Sequence, residues 1–298
     1  MKTLTLTTKY NEPICFALGF FDCVHRGHRA LFEEAREMAG RVGAKVGAVT
    51  FSDNPSRTFG KESQLIYTFE ERKILLAQEV DAVLALPFSK ELQNTPPPAF
   101  LQMLMRAFDV RGFVCGYDYK FGANAEGDSI FLQEFCSKNN IMCGIVQPIT
   151  LENVRVSSTK VKELLHLGDI ENVVRFLGHA YTVEGEVCHG HGRGHVFNFP
   201  TANLQVDADK LLPKTGVYAT YAYTDTKKYK AVTNVGNCPT FGNRETTVET
   251  MLIDFEGDLY GKTLCLEFVR RLRDIRTFSS PQALYKQIIN DTKWENEE

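Results

Sequence analysis

Gly19-Phe20-Phe21-Asp22-Cys23-Val24-His25-Arg26-Gly27-His28 stands between an apolar run, Ile14 to Gly19, and the helical pattern of Arg29 to Ala39. An apolar run that passes through a short turn into an amphipathic helix is the opening step of a strand-helix-strand unit. Free N–H groups and the dipole at such a helix start favour an anion. His25 and His28, three residues apart, can aim at one phosphate there and stabilise charge growing on phosphoryl oxygens during displacement at phosphorus. Two surface histidines in a loop is the plainer reading of the same residues.

Outward from this segment the alternation repeats. Lys45 to Phe51, Ala82 to Phe88, Gly112 to Gly116 and Ile141 to Val146 read as strands. Between them, Thr68 with Glu71 forms a T-x-x-E capping box opening a helix that carries Ile74, Leu75 and Leu76. Strand and helix taking turns predicts an α/β, Rossmann-like domain with a parallel sheet covered on both faces, and a ligand site at the carboxyl ends of its strands. Two short helices, Ser158 to Leu167 and Ile170 to Leu177, lead to Gly178, the expected boundary between a domain of residues 1–178 and another of residues 179–298. The second stretch is rich in Thr, Tyr, Val and Gly. It carries turn clusters such as Thr224 to Lys228 and ends in a helix opened by Ser280-Pro281. That pattern predicts an antiparallel β-barrel or sandwich with one terminal helix.

Composition agrees with two folded domains. The chain has 298 residues, 43% hydrophobic and 24% charged, the balance of an ordinary globular protein. Its net charge of −3 supplies no global field for a nucleic-acid backbone, so no nucleic-acid partner is expected. Eight cysteines lie scattered without a C-x-x-C pair, and no basic-then-apolar leader opens the chain, which predicts a reduced, cytoplasmic protein. The apolar runs are strand-sized and well short of the ~18 residues that span a bilayer, so no membrane association is expected.

Three further groups carry chemistry. Ser157, Ser158 and Thr159 stand at a helix start, where their hydroxyls serve as caps or as donors to a phosphate. His189-Gly190-His191-Gly192-Arg193-Gly194-His195 sets three glycines and a guanidinium among three imidazoles. Three histidines can ligate zinc, but nothing nearby is spaced to complete the site, and glycine-rich loops more often bring backbone N–H groups to phosphates. Alternation through Val248 to Phe255 sets Glu249 beside Met251, Ile253 and Phe255. A carboxylate on such a face is either paired with a nearby arginine or employed chemically. Arg271, Arg273 and Arg276 read as a solvated charge run.

The pattern G-x-F-D-x-x-H-x-G-H resembles the nucleotidyltransferases. Gly116 to Gly122 with Gly127-Asp128, followed by Arg155-Val156-Ser157-Ser158-Thr159, narrows the likeness to the FMN adenylyltransferase half of prokaryotic FAD synthetases. Phe199-Pro200-Thr201-Ala202-Asn203 is similar to the riboflavin kinase FPTAN motif, and Asn234 to Phe241 and Asp258 to Gly261 also match that family. The resemblance to bifunctional riboflavin kinase/FMN adenylyltransferases covers nearly the whole chain. It implies a nucleotidyltransferase domain, a riboflavin kinase-like β-barrel, and a two-step use of ATP that converts riboflavin to FMN and FMN to FAD. An enzyme with one of the two activities, or a non-catalytic flavin-binding regulator, is the alternative. By the same resemblance His25, His28 and Glu249 are catalytic. Phe21, Asp22, Gly27, Arg155, Ser157, Ser158, Thr159, Lys162, Gly192 and Arg193 bind nucleotide. Asp118, Asn234 and Arg276 touch flavin, and Thr201 and Asn203 hold Mg²⁺ with ATP. The chain departs from the family pattern at Cys23 (usually Gly), Asn54 (His), Lys162 (Arg), Asn198 (Gly), Met251 (His) and Ile275 (acidic).

Overall fold

The computed structural model describes residues 1–58, 63–188, 201–225, 227–238 and 245–294. The chain divides into two compact units, Met1–Ser158 and Thr159–Glu298.

Six strands build the first unit: β1 (Lys2–Leu4), β2 (Ile14–Leu18), β3 (Lys45–Phe51), β4 (Ala82–Leu86), β5 (Val110–Gly116) and β6 (Met142–Val146). They form one sheet in the order β1-β4-β3-β2-β5-β6, with every pairing parallel. All of β2 is buried, as a central strand covered on both faces must be. Helix α1 (Arg26–Val42) lays Leu31, Phe32, Ala35, Met38 and Ala39 on one face. Its neighbours in sequence are α2 (Pro55–Thr58), α3 (Phe69–Leu76) and α4 (Lys90–Gln93). On the other face, α5 (Pro97–Ala107) and α6 (Ser129–Lys138) contribute Phe100, Leu101, Leu104, Leu132 and Phe135 to a core with Phe16, Leu84 and Phe113. The chain leaves β2 for β3 on one side and later returns to β5 on the other, so the topological switch point lies between β2 and β5. The crevice beyond their carboxyl ends is where such sheets take ligands. The segment after β2 begins at Gly19 and the segment after β5 at Tyr117. A short ribbon, β7 (Thr150–Leu151) with β8 (Val154–Arg155), closes the unit.

The second unit opens with α7 (Ser158–Leu167), whose first residue is the last of the first unit, and α8 (Ile170–Leu177), followed by a closed antiparallel barrel. Its strands are β9 (Tyr181–Cys188), β10 (Ala202–Val206), β11 (Gly216–Tyr223), β12 (Lys228–Cys238), β13 (Glu245–Leu252) and β14 (Thr263–Arg273), in the cyclic order β10-β13-β12-β11-β14-β9. The terminal helix α9 (Pro281–Asp291) starts at the Ser280 cap read from sequence. Trp294, just beyond it, packs on Val217, Ala219 and Val232. These alternate with Tyr218, Thr220 and Thr233, all fully buried, so the Trp294 side is the barrel's outer face and the threonine side its interior. Inside, Thr233 Oγ1 donates to Thr250 Oγ1 at 2.9 Å and pairs with Thr220 Oγ1 at 2.7 Å.

The units part upstream of the expected boundary at Gly178. The turn between α7 and α8 seats on the barrel: Lys214 N donates to Leu165 O at 2.9 Å, and a Cβ on Gly168 would lie 2.6 Å from Arg271 Cδ. Gly178 itself is the left-handed cap of α8 (φ 80°), its N–H closing on Val174 O, which is why the helical pattern breaks there.

Candidate functional site

Helix α1 begins at Arg26, three residues ahead of the helical pattern read from sequence. His25 is its N-cap, and Nδ1 of His25 accepts the N–H of His28 at 3.1 Å. Histidine is an uncommon cap, which hid this first turn from a propensity reading. The two rings stack with centroids 3.6 Å apart and planes 9° apart. Because Nδ1 of His25 is an acceptor, its proton sits on Nε2, which is therefore a donor. Burial holds the His28 imidazole well below its ordinary value, and the nearby His25 and the Arg72 cation push it the same way. His28 Nδ1 is buried without a hydrogen-bond partner.

The loop that delivers this pair is strained. Phe21 (φ 53°) and Val24 (φ 45°) both occupy the left-handed region, costly for any side chain and most of all for a β-branched one. Burial enforces it: Phe21, Cys23 and Val24 are each 0% exposed. Phe21 meets His28 edge-on at 5.2 Å and Phe32 at 4.9 Å, so its ring braces the histidine from the core. Asp22 accepts the N–H of Ile66 at 3.0 Å. Gly27 leaves room where a Cβ would stand 3.1 Å from His25 Cε1. Arg72, unmarked in the sequence reading, is fully buried behind the loop. Its guanidinium donates to Phe20 O at 2.7 Å, Thr50 Oγ1 at 3.1 Å and Phe51 O at 2.9 Å, and lies over the Phe20 ring at 4.5 Å. One cation thus fastens the segment that follows β2 to the end of β3.

Other predicted residues of the first unit converge here. Cys23 Sγ lies 3.6 Å from Ser158 Oγ, and Val156 O is 3.7 Å from where a Gly27 Cβ would be, so the Arg155–Ser158 segment, with Ser157 in it, runs beside the start of α1. Arg155 donates to Asp118 at 2.5 Å and lies over the Tyr117 ring at 5.0 Å, joining a predicted nucleotide contact to a predicted flavin contact beyond β5. Asp128 instead caps α6, accepting the Phe131 N–H at 2.9 Å. Thr159 and Lys162 follow on α7, in the second unit.

On the barrel, three polar residues share one row. Asn203 of β10 and Asn234 of β12 are both in register with Glu249 of β13, so their side chains leave the same face, about 4.5–5.5 Å apart at Cβ from strand to strand. Their neighbours Ala202, Val248, Thr250 and Thr233 are buried, whereas the three are half-buried, on the barrel's outer face. Thr201 directly precedes β10. The sequence reading placed Ile253 and Phe255 in line with Glu249. Strand β13 instead ends at Leu252, because the chain turns through Asp254 (φ 56°) and Gly257 (φ 144°). Of Met251, Ile253 and Phe255, Met251 alone shares the face within β13, and Glu249 is flanked by amides. The arginine run is not simply solvated: Arg273 forks onto Asp291 of α9 at 2.7–3.2 Å, and Arg271 holds Asp274 and Thr215 O, each at 2.6 Å. Arg276 is exposed and donates to Gln287. The loop of His189 to His195, with Gly192 and Arg193, lies outside the described residues.

Comparison with known proteins bears on both units. A riboflavin kinase family model matches residues 177–297 and an FAD synthetase model matches residues 7–160. The bifunctional riboflavin kinase/FMN adenylyltransferase of Listeria monocytogenes is 30% identical over 280 residues, covering 92% of this chain and 89% of its own. That of Pseudomonas fluorescens is 33% identical over 277 residues, covering 92% and 88%. The chain belongs to the bifunctional riboflavin kinase/FMN adenylyltransferase family. A crystal structure from Streptococcus pneumoniae, solved under the name macrolide-efflux protein, superposes with a TM-score of 0.91 at 26% identity over 100% of both chains. Among the described residues of the present chain, no helix is long and apolar enough to cross a membrane.

Within the bifunctional riboflavin kinase/FMN adenylyltransferase family pattern, the departures at Asn54, Met251 and Ile275 have visible local settings, and Asn198 lies outside the described residues. Asn54 is buried and spans its loop, donating to Ser63 O at 2.6 Å and accepting from Ser56 N at 3.1 Å. Met251 is buried on the outer face of β13, in register with Val232. Ile275 is exposed, its Cδ1 3.6 Å from where a Gly236 Cβ would stand, near the Asn234 end of the polar row.

Proposed function

We propose that the chain makes FMN and then FAD, using one molecule of ATP on each unit. The observation that carries this reading is the presence of two separate, chemically different constellations. Stacked imidazoles stand at a helix start beside the switch point of the first unit, and a Glu249 carboxylate stands between two amides on the barrel.

On the barrel, Glu249 takes the proton of the riboflavin ribityl 5′-hydroxyl as its oxygen attacks the γ-phosphorus of ATP, and ADP leaves. The amide oxygen of Asn203 and the hydroxyl of Thr201 are hard donors beside that carboxylate, a set that fits Mg²⁺ better than a softer ion. They would hold Mg²⁺, which when bound neutralises the nucleotide phosphates. Asn234, on the far side of Glu249, faces the flavin end of the row.

In the first unit, an FMN phosphate oxygen attacks the α-phosphorus of ATP and pyrophosphate leaves. The attacking phosphate is already anionic, so the protein positions it and neutralises charge rather than removing a proton. His25, with its proton on Nε2, donates to a phosphoryl oxygen. His28 stacks beneath it in a fixed pose, and the strained loop keeps both rings in place before substrate arrives. Arg155, Ser157 and Ser158 line the approach for the ATP phosphates, with Asp118 toward the flavin. Free thiols at the described cysteines suit a cytoplasmic setting.

The test incubates the purified chain with ATP, Mg²⁺ and either riboflavin or FMN and separates the flavins chromatographically. FMN and FAD from riboflavin, and FAD from FMN, are expected. A single product would reduce the chain to one activity, and flavin binding without product would make it a non-catalytic binder.

A further inference from the structure

Cys23, His25 and His28 each offer a ligand atom, and these atoms lie within 4.8 Å of one another. The set is one thiol and two imidazoles, a soft and borderline combination that selects zinc-like ions and is poorly suited to Mg²⁺. Tetrahedral zinc, with Zn–S about 2.3 Å and Zn–N about 2.0–2.1 Å, places its ligand atoms roughly 3.3–3.6 Å apart, so the observed spread closes with side-chain rotations of about an ångström. Cys23 and His25 are buried, and half-buried His28 opens the cluster to solvent.

We infer that Cys23, His25 and His28 form a binding site for a zinc-like divalent cation, and that filling it blocks adenylylation while leaving riboflavin phosphorylation running. Binding converts the Cys23 thiol to a thiolate and releases that proton to solvent. The imidazoles bind through neutral lone pairs, and a solvent water takes the fourth position. If His25 uses Nε2, its proton moves to Nδ1 and the cap to His28 N–H is given up. If it uses Nδ1, that lone pair is withdrawn from the same cap. Either way the stacked pair splays, so the Nε2–H donor is replaced by the metal bond in the first case and carried away from the phosphate in the second. The inhibitory consequence rests on the adenylylation role proposed above, whereas metal binding does not.

The experiment uses the full chain after chelation and titrates it with Co²⁺, then Zn²⁺. The expected result is a thiolate-to-cobalt charge-transfer band with the visible bands of a tetrahedral ion, both erased by Zn²⁺. The thiolate band is absent in Cys23→Ser and Cys23→Gly, and Zn²⁺ affinity falls by about tenfold or more in each. In parallel, with Mg²⁺ in excess, Zn²⁺ suppresses FAD formation from FMN at concentrations that leave FMN formation intact, and either substitution relieves the suppression. No thiolate band, or a band that persists in both variants, overturns the site. A Cys23-dependent band in a chain whose metal-free form makes no FAD upholds the site and overturns the adenylylation role instead.

Discussion

Replacing Arg72 by methionine tests whether a buried cation sets the geometry of the first unit. The guanidinium makes three hydrogen bonds, two to backbone carbonyls and one to Thr50. Bonds from a charged donor contribute about 1.5–3 kcal/mol each, or roughly 4–9 kcal/mol together. Against this stands the cost of keeping the cation buried: its pKa is pulled down to about 10 by burial, partly offset by Asp22, which opposes the charged form by about 3 kcal/mol. Methionine fills much of the same volume and carries no charge, so the net loss is about 3 kcal/mol. For a domain of this size that lowers the melting temperature by roughly 6–12 °C. Thermal and urea unfolding followed by a signal from the first unit would measure it. A second readout separates positioning from bulk stability: without the Arg72 charge His28 protonates more readily, so the acid limb of FAD formation moves to higher pH, while that of FMN formation stays. A variant that melts within a degree of the parent and keeps both pH profiles would refute the reasoning.

On the barrel, Glu249→Gln is expected to lower FMN formation by about 10²–10⁴, the range for a general base, with FAD formation from supplied FMN unchanged. His28→Ala should do the converse, losing about 10²–10³ of FAD formation for one preorganised group; loss of both activities in either folded variant would contradict the two-site assignment. Thr233→Val removes both hydroxyl bonds of the barrel interior and strands Thr220 and Thr250 at 0% exposure, which should cost about 2–3 kcal/mol in urea denaturation; a loss under about 0.5 kcal/mol would show the ladder to be dispensable. For metal-free protein, the folded state keeps His28 below its ordinary value of 6.5, so below that pH the unfolded chain binds the extra proton. Stability should therefore fall with decreasing pH by up to about 1.4 kcal/mol per unit, and His28→Gln should flatten that slope.

Strands β2 to β6 were legible because each is a short, largely apolar run, the signature of a strand buried on both faces. Helices α7, α8 and α9 were legible at their limits through Ser158, Gly178 and Ser280-Pro281. What escaped was set by tertiary contact. The first turn of α1 depends on a histidine cap, and the edge strand β1 is three residues paired with β4, with Leu4 buried in the core. Helix α6 starts at the Asp128 cap, which the sequence reading took only as part of a motif and not as a helix start. The site divides in the same way. Residues a few positions apart in sequence, such as His25 and His28, could be paired from spacing alone. Arg72 could not, because a charged residue in an amphipathic helix reads as solvated until the fold shows it buried. The row of Asn203, Glu249 and Asn234 is a matter of register across three strands, which no local pattern encodes.

The two units present groups of different physical kinds, and each set suits the step proposed for it. Transfer of a γ-phosphoryl group to an alcohol requires removal of a hydroxyl proton, and a half-buried carboxylate between two amides offers a base within reach of solvent. Attack by a phosphate on an α-phosphorus requires no base. It requires donors that are already aimed before charge develops, and these must be held against their own tendency to relax. That is where the first unit concentrates its unfavourable features: two left-handed residues, a buried guanidinium and a histidine kept neutral. Such features survive only where the surrounding core over-determines them, and the core around Phe21, Val24 and Phe32 does so. Strain and desolvation therefore mark the constellation proposed to work by preorganisation, while the one proposed to work by proton transfer is built from ordinary strand register.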